Sequence, residues 1–285
     1  QREKLPKIDF NDTIDLKELN VSSKLAINIC VGSMITPQEG YAYYKKLLDY
    51  MGDRLGIKVN FVTKESYAQT NNLLLNGKID VAFVCGGPYI DGRAKFGLEL
   101  LAAPEVDGKT IYYSYIIVRK DSGIEKFEDL KGRSFVFVDP LSNSGRLYPV
   151  YLIREMKETP ETFFREYSYS YAHDTAIRAV SEGIADAAAV DSLIWDYLEK
   201  TGSPYTKNTK IIKRSPPFGI PPVVVRPGLE TGKKEKIQQV LFEMHKDPQG
   251  KAILDNMRID KFVPVNDLNY DSIRALKKQT SPQAR

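Results

Sequence analysis

Ser134-Phe-Val-Phe-Val-Asp139-Pro140-Leu141-Ser142-Asn143-Ser144-Gly145 is the stretch on which the reading of this chain turns. An apolar run of strand type ends in a turn built from three short hydrogen-bonding side chains and a glycine. A helix-like segment, residues 146–157, follows. The first turn of a helix leaves backbone N–H groups unpaired and carries partial positive charge, so it attracts anions. Hydroxyls and an amide clustered there add donors suited to a tetrahedral oxyanion. The same residue types also cap helices, so Ser142 or Ser144 has a second reading as a plain N-cap.

Outward from this loop the chain alternates strand and helix patterns. Before it come a strand at 25–31 and a helix with Tyr44, Leu47, Leu48 and Met51 at helical spacing. A strand at 57–62, a helix at 66–76 stopped by Gly77, and the continuous apolar run 79–84 follow. That run is the pattern of a strand covered on both faces in a parallel sheet. Gly86-Gly87-Pro88-Tyr89 opens a short helix, and strands are expected at 98–103 and 111–118. After Lys120 the same grammar restarts, with a helix at 172–182, a strand at 187–190 and a helix at 192–200. The C-terminal part is largely helical, and residues 1–24 read as a polar arm. The expectation is an α/β protein with helices on both faces of mainly parallel sheets.

One internal echo organises these elements. Tyr67-Ala-Gln-Thr leads through a helix to Gly77-Lys-Ile-Asp80 and an apolar strand, and Tyr171-Ala-His173-Asp-Thr leads through a helix to Gly183-Ile-Ala-Asp186 and another. The spacing is not constant, which excludes a solenoid. Two similar lobes are expected instead: residues 1–118 with 223–285, and residues 119–222. Two crossings, near 118–120 and 221–225, would leave a cleft that closes by hinge bending. Small ligands favour such junctions and the C-terminal ends of parallel strands.

The bulk composition bounds the function. The 285 residues are 42% hydrophobic and 27% charged, ordinary for a soluble globular protein. The 41 basic and 37 acidic residues are well mixed and form no basic stripe, so nucleic acid is not an expected partner. No apolar run is long enough to span a membrane. With only 2 histidines, His173 and His245, no histidine-rich metal site exists, and the 2 cysteines, Cys30 and Cys85, form no CxxC pair. Both lie in apolar runs and read as buried thiols, or as a disulfide if their strands are neighbours. There is no P-loop, GxSxG elbow, HExxH or GxGxxG fingerprint, so neither catalysis nor a cofactor is expected.

The motifs Gly77-Lys-Ile-Asp-Val-Ala-Phe, Gly87-Pro88-Tyr89, Phe127-Glu-Asp-Leu-Lys-Gly132, Asp139-Pro-Leu-Ser-Asn-Ser-Gly145 and His173 before Gly183-Ile-Ala-Asp186 occur in order. That order, over residues 25–257, resembles the periplasmic phosphate/phosphite/phosphonate-binding proteins of ABC transporters, a branch of the type II solute-binding fold. The Asp-Leu-Lys-Gly helix is widespread among solute-binding proteins; the Asp-Pro-x-Ser-x-Ser-Gly loop followed by the histidine is far more specific. The resemblance implies that Ser142, Asn143 and Ser144 bind a phosphorus oxyanion. It also implies that His173 donates to the same oxyanion and that Tyr89 reaches the ligand across the cleft.

Asp191, at the end of the 187–190 strand, reads either as a helix N-cap or as an acceptor for a protonated ligand oxygen or amine. Tyr41, Tyr43, Ser33 and Thr36 are candidates for the first-lobe wall, with Tyr43 chosen among them. The loop between the two crossings, Ser215-Pro-Pro-Phe-Gly-Ile-Pro-Pro222, carries no acid where family members that bind aminophosphonates are expected to have one. This tilts the ligand toward phosphate, phosphite or a small alkylphosphonate. The resemblance further implies a monomeric protein outside the cytoplasmic membrane, with or without a lipid anchor, that serves a membrane permease. A ligand-binding sensor domain feeding a signalling kinase would look the same. Sulfonates and thiamine precursors are other ligands of this fold, which the Ser-Asn-Ser loop with His173 disfavours. The chain opens at Gln1 with no apolar signal region, as expected of a mature chain.

Overall fold

The computed structural model describes residues 26–280 apart from Ser33 and Ile35. Among the described residues thirteen strands fall in chain order: β1 (Ala26–Val31), β2 (Lys58–Thr63), β3 (Val81–Phe83), β4 (Glu99–Glu105), β5 (Ile111–Tyr112), β6 (Ser114–Arg119), β7 (Ser134–Phe137), β8 (Glu166–Tyr169), β9 (Ala187–Asp191), β10 (Thr209–Arg214), β11 (Phe218–Gly219), β12 (Val223–Val225) and β13 (Lys261–Val263). They form a six-stranded sheet in the order β13-β4-β12-β3-β1-β2 and a five-stranded sheet in the order β10-β6-β9-β7-β8. Each has a parallel centre, β2-β1-β3 in one and β8-β7-β9 in the other. Each is extended on one side by antiparallel strands.

The apolar run 79–84 becomes β3, fully buried and flanked by β1 and β12. Its Val81 and Ala82 and the facing Ile29 and Val224 show no exposure. Burial on both faces requires a helix layer on each side, and the chain supplies one after every parallel strand. The echo seen in the sequence is therefore real topology: helix Tyr67–Leu75 joins β2 to β3 as helix His173–Ser181 joins β8 to β9.

The connection between lobes differs from the expected one. The reading had residues through 118 in the first lobe, with a single strand at 111–118. That run splits at Tyr113. β5 pairs antiparallel with β11 in a separate two-stranded ribbon, Phe218 opposite Tyr112, whereas β6 belongs to the five-stranded sheet between β9 and β10. The crossings lie in this ribbon, near 111–113 and 218–220. The cause is that β6 needs partners on both sides for its buried Ile116, Ile117 and Val118, and β9 and β10 provide them. Cys30 and Cys85 are buried free thiols. No helix among the described residues is long and apolar enough to cross a membrane.

The lobes are in contact across the cleft. His173 N–H donates to the Met34 carbonyl (3.0 Å), and Thr36 donates through its N–H (3.1 Å) and Oγ1 (2.9 Å) to Asp174. Tyr67 N–H donates to Asp139 Oδ2 (3.1 Å). Helix Gly86–Phe96 approaches the loop of the second lobe so closely that a Cβ at Gly87 would stand 2.0 Å from the Leu141 carbonyl oxygen. Gly87→Ala therefore obstructs closure without disturbing either lobe. Ligand affinity should fall at least about tenfold while the melting temperature of the free protein holds or rises, because alanine is the better helix former. Titration calorimetry beside a thermal melt reads both.

Candidate functional site

The C-terminal ends of the parallel strands of both sheets point into the crevice, where each chain turn delivers a polar group. After β7 the chain makes a turn held by Asp139, whose Oδ1 accepts the Leu141 N–H (2.7 Å) while its Oδ2 holds Tyr67 of the other lobe. Gly145 lets the loop fold back on the strand, since a Cβ there would meet Val138 at 2.5 Å. A wide π-type turn, Asn143–Leu147, then enters helix Tyr148–Glu155. Leu147 N–H bonds to the Ser142 carbonyl (3.0 Å), one residue further along than in an α-helix.

The three residues of the loop divide their work. Ser142 Oγ accepts the Gly145 N–H (3.0 Å) and is the N-cap. Asn143 Nδ2 donates to the Tyr112 hydroxyl (2.9 Å), and its Oδ1 is buried with no partner. Ser144 Oγ is buried with no partner, while its carbonyl accepts from Ser114 Oγ (2.6 Å). Of the two readings of the loop, capping belongs to Ser142 and the free hydroxyl to Ser144.

His173 begins its helix two residues after Tyr171, whose φ of +58° turns the chain into the crevice. Its Nδ1 accepts the Asp191 N–H (2.9 Å), so the proton of the neutral ring sits on Nε2, which is buried and unpartnered. Burial pushes the imidazole down to about 3, which keeps the ring neutral at ordinary pH. Asp191 Oδ1 accepts the Leu193 N–H (2.8 Å), so Asp191 caps helix Ser192–Lys200 and also faces the crevice. Burial raises its carboxyl to about 7, offset in part by the Leu193 amide.

Tyr89 departs from the expectation. Its ring packs edge-on against Tyr270 with centroids 4.8 Å apart, and its hydroxyl donates to Asp267 rather than turning to the crevice. Tyr67, not singled out from the sequence, is the tyrosine with a free buried hydroxyl. It is fully buried, packed on Gly32, with its hydroxyl unpartnered. The echo held the missing signal, because Tyr67 starts the first-lobe helix that corresponds to the helix started by His173. Tyr112, also overlooked, lies in hinge strand β5 and meets Cys85 Sγ at 3.4 Å. Burial and the neighbouring Asp191 carboxylate hold the Tyr67 and Tyr112 hydroxyls far above their usual range, so both stay protonated. Tyr43 lies in helix Pro37–Leu55, but its side chain is outside the described residues, as is Ser33. Tyr44, one position on, lines the crevice. Among the described residues no cluster of His, Cys, Asp or Glu is arranged to hold a metal.

Ser144 Oγ–H, His173 Nε2–H and Tyr67 O–H are thus buried neutral donors without partners, and the segments that carry them are tied together by the bonds from Tyr67 N–H to Asp139 and from Asp191 N–H to His173. Two α/β lobes joined by a two-stranded hinge, with donors converging at the strand ends between them, define a solute-binding protein of the type II fold. A family model described as the ABC-transporter phosphonate periplasmic substrate-binding protein matches residues 29–270. The chain belongs to that family, whose members bind substrate for transporters outside the cytoplasm.

Among its relatives, the phosphonates-binding periplasmic protein of Escherichia coli (strain K12) is 28% identical over 256 residues, which make up 88% of this chain and 75% of that one. A binding protein component of an ABC phosphonate transporter from Pseudomonas aeruginosa matches the fold with a TM-score of 0.85 at 25% identity, over 90% of this chain and 86% of that one. PhnD1 from Prochlorococcus marinus (MIT 9301), solved in complex with methylphosphonate, matches with a TM-score of 0.81 at 19% identity, over 89% and 97% of the two chains.

Two predictions separate the roles. Ser142→Ala removes a cap and should cost about 1 kcal/mol of fold stability. Ser144→Ala should leave the melt of the free protein nearly unchanged but cost roughly 1.5–3 kcal/mol of anion binding, the worth of a hydrogen bond to a charged group. Asp191 gives a pH signature. The native state keeps its proton up to about 7, whereas the unfolded chain releases it near 3.8. The native state thus holds more protons in that interval, and stability falls as pH rises through it. Asp191→Asn, which retains a capping oxygen, should stabilise the free protein above pH 7 and leave it unchanged below pH 4, as urea unfolding at the two pH values will measure.

Proposed function

We propose that this chain captures a phosphorus oxyanion of the phosphonate class and presents it, as a monomer, to the permease of an ABC importer at the outer face of the cytoplasmic membrane, with or without a lipid anchor. Ser144, His173 and Tyr67 donate to the oxyanion oxygens, and Asn143 Oδ1 accepts from a protonated oxygen. The Asp191 carboxyl, near half-protonated at neutral pH, adjusts to either form of the ligand. Ser142 contributes indirectly by fixing the turn that aims Asn143 and Ser144. Tyr89 is not given a ligand role, its hydroxyl being engaged by Asp267.

The observation that carries this reading is the set of polar atoms, Asn143 Oδ1, Ser144 Oγ, His173 Nε2 and Tyr67 OH, each buried and unpartnered, on segments that are bonded to one another across the lobes. Leaving a buried polar group unpaired costs on the order of 1–3 kcal/mol, so several together are stable only if a ligand satisfies them. The relative named for phosphonates and the structural neighbour holding methylphosphonate agree in ligand class. A ligand that binds only the native state raises the melting temperature. Phosphate or methylphosphonate at a hundred times its dissociation constant should stabilise by about 2.7 kcal/mol, with sulfate, which carries no proton for Asn143 Oδ1, giving far less. A response to sulfate alone would reject the assignment.

A further inference from the structure

The helix Pro37–Leu55 of the first lobe, 19 residues long, has Thr36 as its N-cap, yet the Thr36 side chain makes no capping bond. What caps this end is a side chain of the other lobe. Asp174, the second residue of helix His173–Ser181, accepts the Thr36 N–H on Oδ1 (3.1 Å) and the Thr36 hydroxyl on Oδ2 (2.9 Å). The preceding residue ties the same segment, with His173 N–H donating to the Met34 carbonyl (3.0 Å).

One carboxylate thus stands at the N-terminal ends of two helices, one in each lobe, where the partial positive charge of both favours it. Hydrogen bonds to an ionised acceptor are also the stronger kind. Among the described residues the hydrogen bonds of the Asp174 carboxylate go to Thr36 alone, and both side chains are half-buried. Neither residue carries one of the free buried donors, so the pair is separate from the atoms assigned to the solute. Asp139 repeats the device, since this second-lobe carboxylate accepts the N–H of Tyr67, the first residue of helix Tyr67–Leu75. Asp139 also shapes the loop before Ser144 through the Leu141 N–H, so it cannot be altered without disturbing the site. Asp174 has no such second task.

We propose that Asp174 is a latch, a positioning residue that caps the first-lobe helix from across the cleft and thereby sets how long a bound solute is held. The inference depends on closure of the lobes and not on the chemistry of the solute. Hinge opening separates Asp174 from Thr36, so the cap forms and breaks with the cleft. A contact of the closed state, distant from the encounter of solute with the open cleft, acts on the dissociation rate. The latch also seats His173, whose N–H bond to Met34 joins the same two segments.

Stopped-flow kinetics of the whole chain with methylphosphonate and with phosphate test this in wild type, Asp174→Ala, Thr36→Ala and the double variant. Asp174→Ala should release the solute about tenfold faster, the worth of one charge-assisted bond, with little change in association. Thr36→Ala keeps its N–H and should speed release less, and the double variant should release no faster than Asp174→Ala. Release from Asp174→Ala at the wild-type rate, or single effects that add in full, would overturn the latch. Hydrogen exchange of the free chain supplies the arm that needs no solute. The Tyr67 amide, bonded to Asp139 across the lobes, should exchange faster in Asp174→Ala because the lobes part more often. An unchanged Tyr67 amide would make Asp174 a local cap and overturn the proposal. If neither phosphorus ligand binds, the oxyanion reading of the site falls, and the Tyr67 amide alone decides the latch.

Discussion

Taking a small oxyanion out of water without a fixed cation is the constraint under which this cleft is built. The penalty for desolvating charge is large, and it is offset only by donors already aimed at the place where the charge will sit. The Asp191 N–H to His173 Nδ1 bond is the clearest instance. It commits the imidazole to one tautomer, leaves the proton on the buried, unpartnered Nε2 and spends a backbone group that a β-strand would otherwise use. Burial keeps the ring neutral, so the donor is present whatever the ordinary pH.

The parallel strand centres serve the same end. Every parallel strand must be followed by a crossover, so polar turns accumulate at one edge of each sheet. Opposing two such edges brings Tyr67, Asn143, Ser144, His173 and Asp191 together although they span more than a hundred residues of sequence. Asp139 ties the arrangement. One carboxylate shapes the loop that carries Ser144 and holds the amide of Tyr67 in the facing lobe. The glycines at 87 and 145 are needed for the same geometry, each where a side chain would enter a neighbouring backbone or strand.

Much of this was legible in the sequence. The two-lobe α/β architecture followed from the alternation of patterns and the internal echo. The loop motif and its family resemblance pointed to Ser144 and His173, whose Oγ and Nε2 are buried without partners. The sequence alone leaves Ser142 and Ser144 equivalent, because which hydroxyl turns inward depends on the wide turn after Ser142. Which of Tyr89 and Tyr67 keeps a free hydroxyl is hidden from the sequence for a related reason. Both lie in the first turn of helices after parallel strands, and only the packing of helix Asp271–Thr280, with Tyr270 and Asp267 just before it, shows that Tyr89 is drawn the other way. The hinge was hidden because an unbroken apolar run passes from one sheet to the other, and hydrophobicity records burial without recording against what.

Tyr112 sits in the hinge ribbon, yet its hydroxyl meets Cys85 from one lobe and Asn143 from the other. A single phenol is thus fixed to the pivot and to both arms. The angle between the lobes and the shape of the anion pocket are consequently one mechanical coordinate. A partner gripping the outer surface of both lobes would sense how well the bound solute fits without touching it.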